Sequence, residues 1–304
     1  TLTTTTNSET SEVSITDWNR TKASNVHGGG YGKDTYVTGS VLVNIGEENA
    51  TSGPTIFGDV YGGGALGHVN GTKNTSTDTG ALPITSTANA TTTVNLYSGT
   101  IYGDAYGGGL GDATNAAYVG GTVSVNQNGV AYIIDYYPDD GSTSDDESTI
   151  VKSGRIFGCN NLNGYPLGNV NVTINKTAAG NVKRTAADAN NPSVPQTGTN
   201  VTPKYELAAV YGGGNLAPYN ANNMKASVRI NGCGITSIET VYGGGNAAAV
   251  PETDVLVDGC YEIGTVFGGG NGKDKYKIGD GAWTANPGAN VESKIGRASC
   301  RERV

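Results

Sequence analysis

The sequence predicts an all-β fold, a parallel β-solenoid or β-helix built from about seven glycine-cornered repeats with polar loop insertions, and three observations predict it. A motif of the type Val-Tyr-Gly-Gly-Gly-Asn recurs from one end of the chain to the other. Short alternating β-branched runs flank its copies and read as strands. Glycine fills 48 of 304 positions, whereas there are only three Phe, two Trp and one Met, so the fold must bury little bulk per residue. Self-similarity at a period of tens of residues signals stacked units that bury thin apolar layers again and again. A sandwich of hairpins is the other all-β arrangement considered. It gives successive strands different surroundings, whereas here equivalent positions recur in the same local context.

The copies are Val26-His27-Gly28-Gly29-Gly30, Val60-Tyr61-Gly62-Gly63-Gly64, Ala105-Tyr106-Gly107-Gly108-Gly109, a worn copy Ile156-Phe157-Gly158-Cys159-Asn160-Asn161, Val210-Tyr211-Gly212-Gly213-Gly214-Asn215, Val241-Tyr242-Gly243-Gly244-Gly245-Asn246 and Val266-Phe267-Gly268-Gly269-Gly270-Asn271. The steps between their first glycines are unequal, longest from Gly158 to Gly212 and shortest from Gly243 to Gly268. The shortest steps expose the bare unit. Ser227 to Cys233 superimposes on Asp254 to Cys260 without a gap, and a second run, Ile238 to Tyr242 or Ile263 to Phe267, leads into the glycines. Two strands of ~5 residues, a turn and a glycine bend make the unit. Earlier units carry the same first strand at Val41 to Val43, Val94 to Leu96, Val123 to Val125 and Val170 to Ile174.

The longer steps hold insertions: a Ser/Thr/Asn-rich stretch near 72–92, an acidic one at 135–152, and 176–206 with Pro192, Pro195 and Pro203. No segment has helical periodicity. Residues 1–25 read as a partial repeat or linker and 26–294 as the repeat domain. Residues 295–304 resemble the translation of a sequencing adapter and are set outside the fold. The chain starts at Thr1 without a signal segment and is expected to be a fragment truncated at both ends.

The net charge is −8 and becomes −10 (16 basic minus 26 acidic) without the last ten residues. That balance argues against nucleic acid or an anionic membrane surface as a partner. No apolar run approaches the ~20 residues needed to span a bilayer. Cys159, Cys233 and Cys260 show neither a disulfide framework nor metal-site spacing. Cys233 and Cys260 are equivalent in successive units and could stack as thiols.

Each repeat residue has a physical reason. Triple glycine permits φ > 0 and close backbone approach, so Gly62, Gly107, Gly212, Gly243 and Gly268 read as corners. Asn160, replacing glycine in the worn copy, is expected to tolerate the same left-handed geometry. Asn161, Asn215, Asn246 and Asn271 follow the bend, and at a stacking distance of ~4.8 Å their amides can hydrogen-bond as a ladder. Tyr61, Tyr106, Phe157, Tyr211, Tyr242 and Phe267 would stack in the same way. Tyr61, Tyr106, Tyr211, Tyr242 and Phe267 thus form either a sugar-binding face or packing, with packing preferred. Strand parity alone does not fix the direction of the rings.

The unit Val-Tyr-Gly-Gly-Gly-Asn, preceded by Val-Arg-Ile-Asn-Gly-Cys, resembles the glycine-rich repeats of large bacterial cell-surface and secreted adhesin-like proteins, over Val26 to about Gly272. The resemblance implies a β-rich repeat exposed at the cell surface or outside the cell, with no catalytic residues to carry over. The insertions and the worn fourth copy depart from a regular array.

Chemistry has few candidates. Asp59 and Asp104 are equivalent, and in adjacent units their carboxylates could share Ca²⁺ or act as an acid/base pair. Repeats copy residues without needing them, so a structural role is preferred. Asp139, Asp140, Asp145, Asp146 and Glu147 supply oxygen ligands for calcium but lack EF-hand spacing, and a solvated acidic loop is the simpler reading. His27 and His68 stand without a second metal ligand or a nucleophile elbow and read as surface polar residues. The expected function is a non-enzymatic structural stalk or adhesin that binds a glycan or a host surface protein. The alternative is a β-helix carbohydrate-active enzyme, a polysaccharide lyase or glycoside hydrolase.

Overall fold

A computed structural model of the chain describes residues 2–6, 13–18, 24–134, 136–137, 151–177, 205–232, 235–272 and 288–300. Among the described residues there is no helix, and most strands run parallel in two seven-stranded sheets.

The first, which we term the corner sheet, contains the strand leading into every glycine bend: Val26–His27, Val60–Tyr61, Ala105–Tyr106, Arg155–Phe157, Leu207–Tyr211, Ser237–Tyr242 and Glu262–Phe267. The second, the long sheet, contains Val41–Ile45, Thr91–Leu96, Thr122–Asn128, Val170–Lys176, Ala226–Ile230, Val250–Val257 and Val291–Cys300. The chain alternates between the two sheets without exception, and each strand pairs with the equivalent strand of the next copy. In the corner sheet Val26, Val60, Ala105, Ile156, Val210, Val241 and Val266 occupy one register line. In the long sheet Ser227 pairs with Asp254, the same superposition that the sequence shows between these two runs. Insertions therefore lengthen connections without moving the register, which is set by the alternation of side chains. This arrangement is compatible with a β-helix.

The β-branched runs alternate as half-buried strands should. Val41, Val43 and Ile45 point inward with exposed Leu42 and Asn44 between them. Across the long sheet the inward rows continue through Val94, Val125, Val172, Val228 and Val255. They meet Val60, Ala105, Ile156, Val210 and Val241 of the corner sheet in one cluster. Each such valine contributes about 1.5–3 kcal/mol by leaving water.

The reason for the glycines differs from the one the sequence suggested. None of the triplet glycines lies in the left-handed region, and neither does Asn160; positive φ occurs at other positions, among them Gly46, Gly99 and Gly129 beyond the long-sheet strands and Gly111, Gly164 and Gly272 shortly after the bends. What the triplets provide is closeness. A Cβ on Gly107 would sit 2.4 Å from the Gly158 carbonyl oxygen and 2.5 Å from Val123 Cγ1. The two sheets converge at this line until only a hydrogen atom fits.

Shorter ladders accompany the first units: Thr55–Ile56, Thr100–Ile101 and Ala131–Tyr132 form one, and Tyr36–Val37 with His68–Val69 another, extended by bridges from Val69 to Val119 and Val119 to Pro166. Antiparallel pairs appear where the repeat is interrupted. The insertion near 72–92 contains a hairpin of Gly71–Lys73 and Ile84–Ser86, and the strand after it starts at Thr91. In the insertion at 135–152, Tyr136–Tyr137 pairs with Val151–Lys152. The Thr177 hydroxyl donates to the Glu206 carboxylate across the base of the third insertion. Within residues 1–25, Leu2–Thr6 and Val13–Trp18 form another antiparallel pair. The last strand, Val291–Cys300, includes residues that the sequence reading set outside the fold. It joins the long sheet with register shifts at Val250/Glu252 and Thr253/Val255.

Candidate functional site

The densest arrangement of functional groups lies on the outer side of the corner sheet. Parity decides its content: Val60 enters the core, so Tyr61 must point the other way. Register then stacks His27, Tyr61, Tyr106, Phe157, Tyr211, Tyr242 and Phe267 in one column. Centroid spacings are 4.7, 4.9, 4.8, 4.6, 4.8 and 5.2 Å, and no two neighbouring planes differ by more than 11°. Tyr61, Tyr106, Phe157 and Tyr211 are buried, Tyr242 is half-buried, and Phe267 at the end is 47% exposed. Inside the column each ring face is covered by its neighbours, which leaves a flat ligand only the terminal faces.

Two residues before the rings, a second line joins the units. Asn25 Oδ1 accepts the Asp59 N–H at 2.8 Å, Asp59 Oδ1 accepts the Asp104 N–H at 2.7 Å, and Asp104 Oδ1 accepts the Arg155 N–H at 2.9 Å. The remaining carboxylate oxygens take the phenols, Tyr61 to Asp59 at 2.9 Å and Tyr106 to Asp104 at 3.3 Å. Arg155 lies over Phe157 and forms a buried ion pair with Asp104 at 2.7 Å. Asp59 and Asp104 are thus brought into adjacent units, but their oxygens serve the next unit's backbone. Burial raises the Tyr61 phenol well above its ordinary range, with Asp59 adding to the effect. It raises Tyr132 likewise, with Asp104 as the second cause.

The asparagines form a third line. Asn215 Nδ2 donates to Asn161 Oδ1 at 2.9 Å, Asn246 to Asn215 at 2.9 Å and Asn271 to Asn246 at 2.8 Å. Asn161 Nδ2 in turn donates to the Tyr61 hydroxyl at 2.8 Å, tying the line to the ring column. In the worn copy Asn160 Nδ2 reaches back to the Ala117 carbonyl at 2.6 Å, while its Oδ1 takes the space that a Cβ on Gly108 would need.

The long sheet has its own lines, which sequence reasoning missed. Asn44, Asn95 and Asn126 are linked amide to amide at 3.0 and 2.9 Å, and Asn128, Asn175 and Asn231 at 2.9 and 3.2 Å. The signal was present as an Asn at the same place in successive β-branched runs. Beside the first of these lines, toward the strand starts, the face shows Thr93, Ser124 and Asn171 in register. Toward its end Lys225 and Arg229 approach Asp254 at 3.7 and 3.6 Å.

No family model, curated protein or solved structure matches the chain. The chemistry of its own residues therefore has to carry the reading.

Both histidines are packed rather than free on the surface, a correction that follows from register. His27 begins the ring column, half-buried, and His68 is buried between Tyr36 and Tyr118 in a second, tilted aromatic line that ends at Tyr165. His68 Nδ1 accepts the Tyr118 N–H at 3.1 Å. Burial lowers the basicity of both imidazoles. Cys159 is a buried free thiol whose pKa is pushed up by desolvation, and Cys260 is half-buried. Cys233 and the acidic loop with Asp139, Asp140, Asp145, Asp146 and Glu147 lie outside the described residues. Among the described residues no three His, Cys, Asp or Glu side chains converge as a metal site, and no helix is long and apolar enough to cross a membrane.

Proposed function

We propose that the chain is a parallel β-solenoid segment of a surface-exposed or secreted protein, acting without catalysis as a structural stalk or adhesin. The observation that carries this reading is where the repeated polar groups are used. Asp59, Asp104, Arg155 and the Asn161 to Asn271 line are consumed in bonds from one unit to the next. A catalytic carboxylate needs access to substrate. Asp104, 1% exposed and paired with Arg155, instead has the surroundings of a structural group. Alternation between two parallel sheets with copies paired in order supports the solenoid. The resemblance to bacterial adhesin-like repeats supports the location and the role.

In this reading the outward side of the long sheet, with its hydroxyl and amide side chains, is the contact surface for a glycan or a host surface protein. Amides and hydroxyls can both donate to and accept from sugar hydroxyls. Glycan-array binding by the purified chain tests it. Saturable binding that is lost in the Asn95→Leu/Asn126→Leu variant, with no release of reducing sugar, is expected. Release of reducing ends or of unsaturated product from polysaccharide would replace it with the enzyme reading.

A further inference from the structure

Resting on the adhesin reading and narrowing it, we infer that the ligand of the long sheet is a neutral, unbranched polysaccharide that lies across the strands, along the direction of stacking. Three interior strands carry the site, Thr91–Leu96, Thr122–Asn128 and Val170–Lys176, and each is paired on both sides with a strand of another unit. Their outward side chains fall in columns that run from unit to unit: Thr93, Ser124 and Asn171 form one, and Asn95, Asn126 and Thr173 the next. All six are half-buried hydroxyls or amides, and none is charged. Charged groups stand at the margin, with Lys176 at a strand end and Lys225, Arg229 and Asp254 in the following units.

The amides are set before any ligand arrives. Asn95 Nδ2 donates to Asn44 Oδ1 at 3.0 Å, and Asn126 Nδ2 donates to Asn95 Oδ1 at 2.9 Å. A carboxamide has two N–H donors and two acceptor lone pairs, so Asn95 keeps one of each after both bonds. That pair suits two neighbouring hydroxyls of a pyranose, one accepting and one donating. Because the ladder already holds the side chain, little rotamer freedom is left to lose on binding. The same offer recurs at every strand, about 4.8 Å further on, a step comparable to one sugar of an extended chain. A periodic face is best filled by a periodic ligand, since each added sugar meets the same groups as an intramolecular event. The short, branched glycans of glycoproteins cannot follow such columns. Charge points the same way. With a net charge of −8 and no cation in the two columns, the face offers a polyanionic glycan no attraction, whereas a neutral polymer needs none.

Affinity electrophoresis of the full chain in gels containing a linear β-glucan, a linear β-mannan or an unbranched β-xylan tests the inference, with heparin as the polyanion and a branched glycoprotein glycan as further probes. Retention by at least one neutral polymer is expected, unchanged by added salt, and oligosaccharides of that polymer should bind more tightly from disaccharide to tetrasaccharide. Ser124→Glu sets a charge in the middle of a column and should weaken retention about tenfold or more. The side chain points outward, so the β-sheet circular dichroism should stay the same, which checks that the fold is intact. Salt-sensitive binding to heparin alone, binding to the branched glycan alone, or a disaccharide bound as tightly as a tetrasaccharide would overturn the inference while leaving the adhesin role in place. Retention undiminished by Ser124→Glu would overturn it by moving the ligand to another face. Failure to bind any glycan would remove the inference together with the glycan-binding role.

Discussion

On the corner sheet the ring column that points away from the core is covered ring by ring; on the long sheet the outward positions are mostly polar and more open, among them exposed Asn44 and half-buried Asn95. Both faces have the same parallel register, and both carry asparagine lines with Nδ2 to Oδ1 distances of 2.9 Å, as between Asn215 and Asn246 or between Asn95 and Asn126. The difference is what lies over them. A hydrogen bond in a covered line has no water to replace it, whereas one on an open face exchanges with solvent at little net cost. Equal geometry therefore implies unequal energies, and substitutions can measure the gap.

The largest effect is expected where the two sheets touch. Gly107→Val forces methyl groups into the Gly158 carbonyl and Val123 and should destabilise the fold by at least about 4 kcal/mol, seen as loss of the cooperative melt or of soluble protein. Next comes the ion pair. Arg155→Met leaves the Asp104 carboxylate buried without its cation and should cost about 3–5 kcal/mol in denaturant unfolding, while Arg155→Met combined with Asp104→Asn should regain most of it. A double variant no better than the single one would show that the pair is not the relevant interaction. The smallest and most discriminating effects compare the two asparagine lines. Asn246→Ala breaks a line at a buried residue and should cost about 1–3 kcal/mol, against about 0.5 kcal/mol for Asn44→Ala at the exposed end of the long-sheet line. Equal costs would mean that the two faces are equally wet.

Acid should act through the packed imidazoles. Burial lowers the basicity of His68 and His27 in the folded chain, so their contribution is present above the ordinary histidine pKa of about 6.5 and is lost as pH falls through the folded values. Thermal melts should shift downward on acidification below that point, and His68→Phe should reduce the shift.

Much of the fold was legible in the sequence because its information is periodic. The recurrence of the Gly triplets marked the units, and the unequal steps between the first five copies reappear as register partners from Val26 through Val60, Ala105 and Ile156 to Val210. Parity along the β-branched runs marked the inward valines. Less accessible was anything set by distance between units. Gly107 reads as a bend in one dimension and proves to be a point of closest approach in three. His27 looks like an isolated polar residue until the register places it on Tyr61. The pairing of Asp104 with Arg155 was hidden because the worn copy replaces an acid with a base at the equivalent position, one unit further along the chain. The Asn44 and Asn128 lines are present as repeated letters, but which asparagines of successive runs meet depends on the register between units.

The central claim is that equivalent residues of successive copies stack in parallel register, and ring contacts of Phe157 test it most directly. Nuclear Overhauser effects in a chain with selectively labelled aromatic residues should connect the Phe157 ring to both Tyr106 and Tyr211, each a full repeat away in sequence, at centroid distances of 4.8 and 4.6 Å. Contacts of Phe157 only with residues near it in sequence, as hairpins packed in a sandwich would give, would contradict the account.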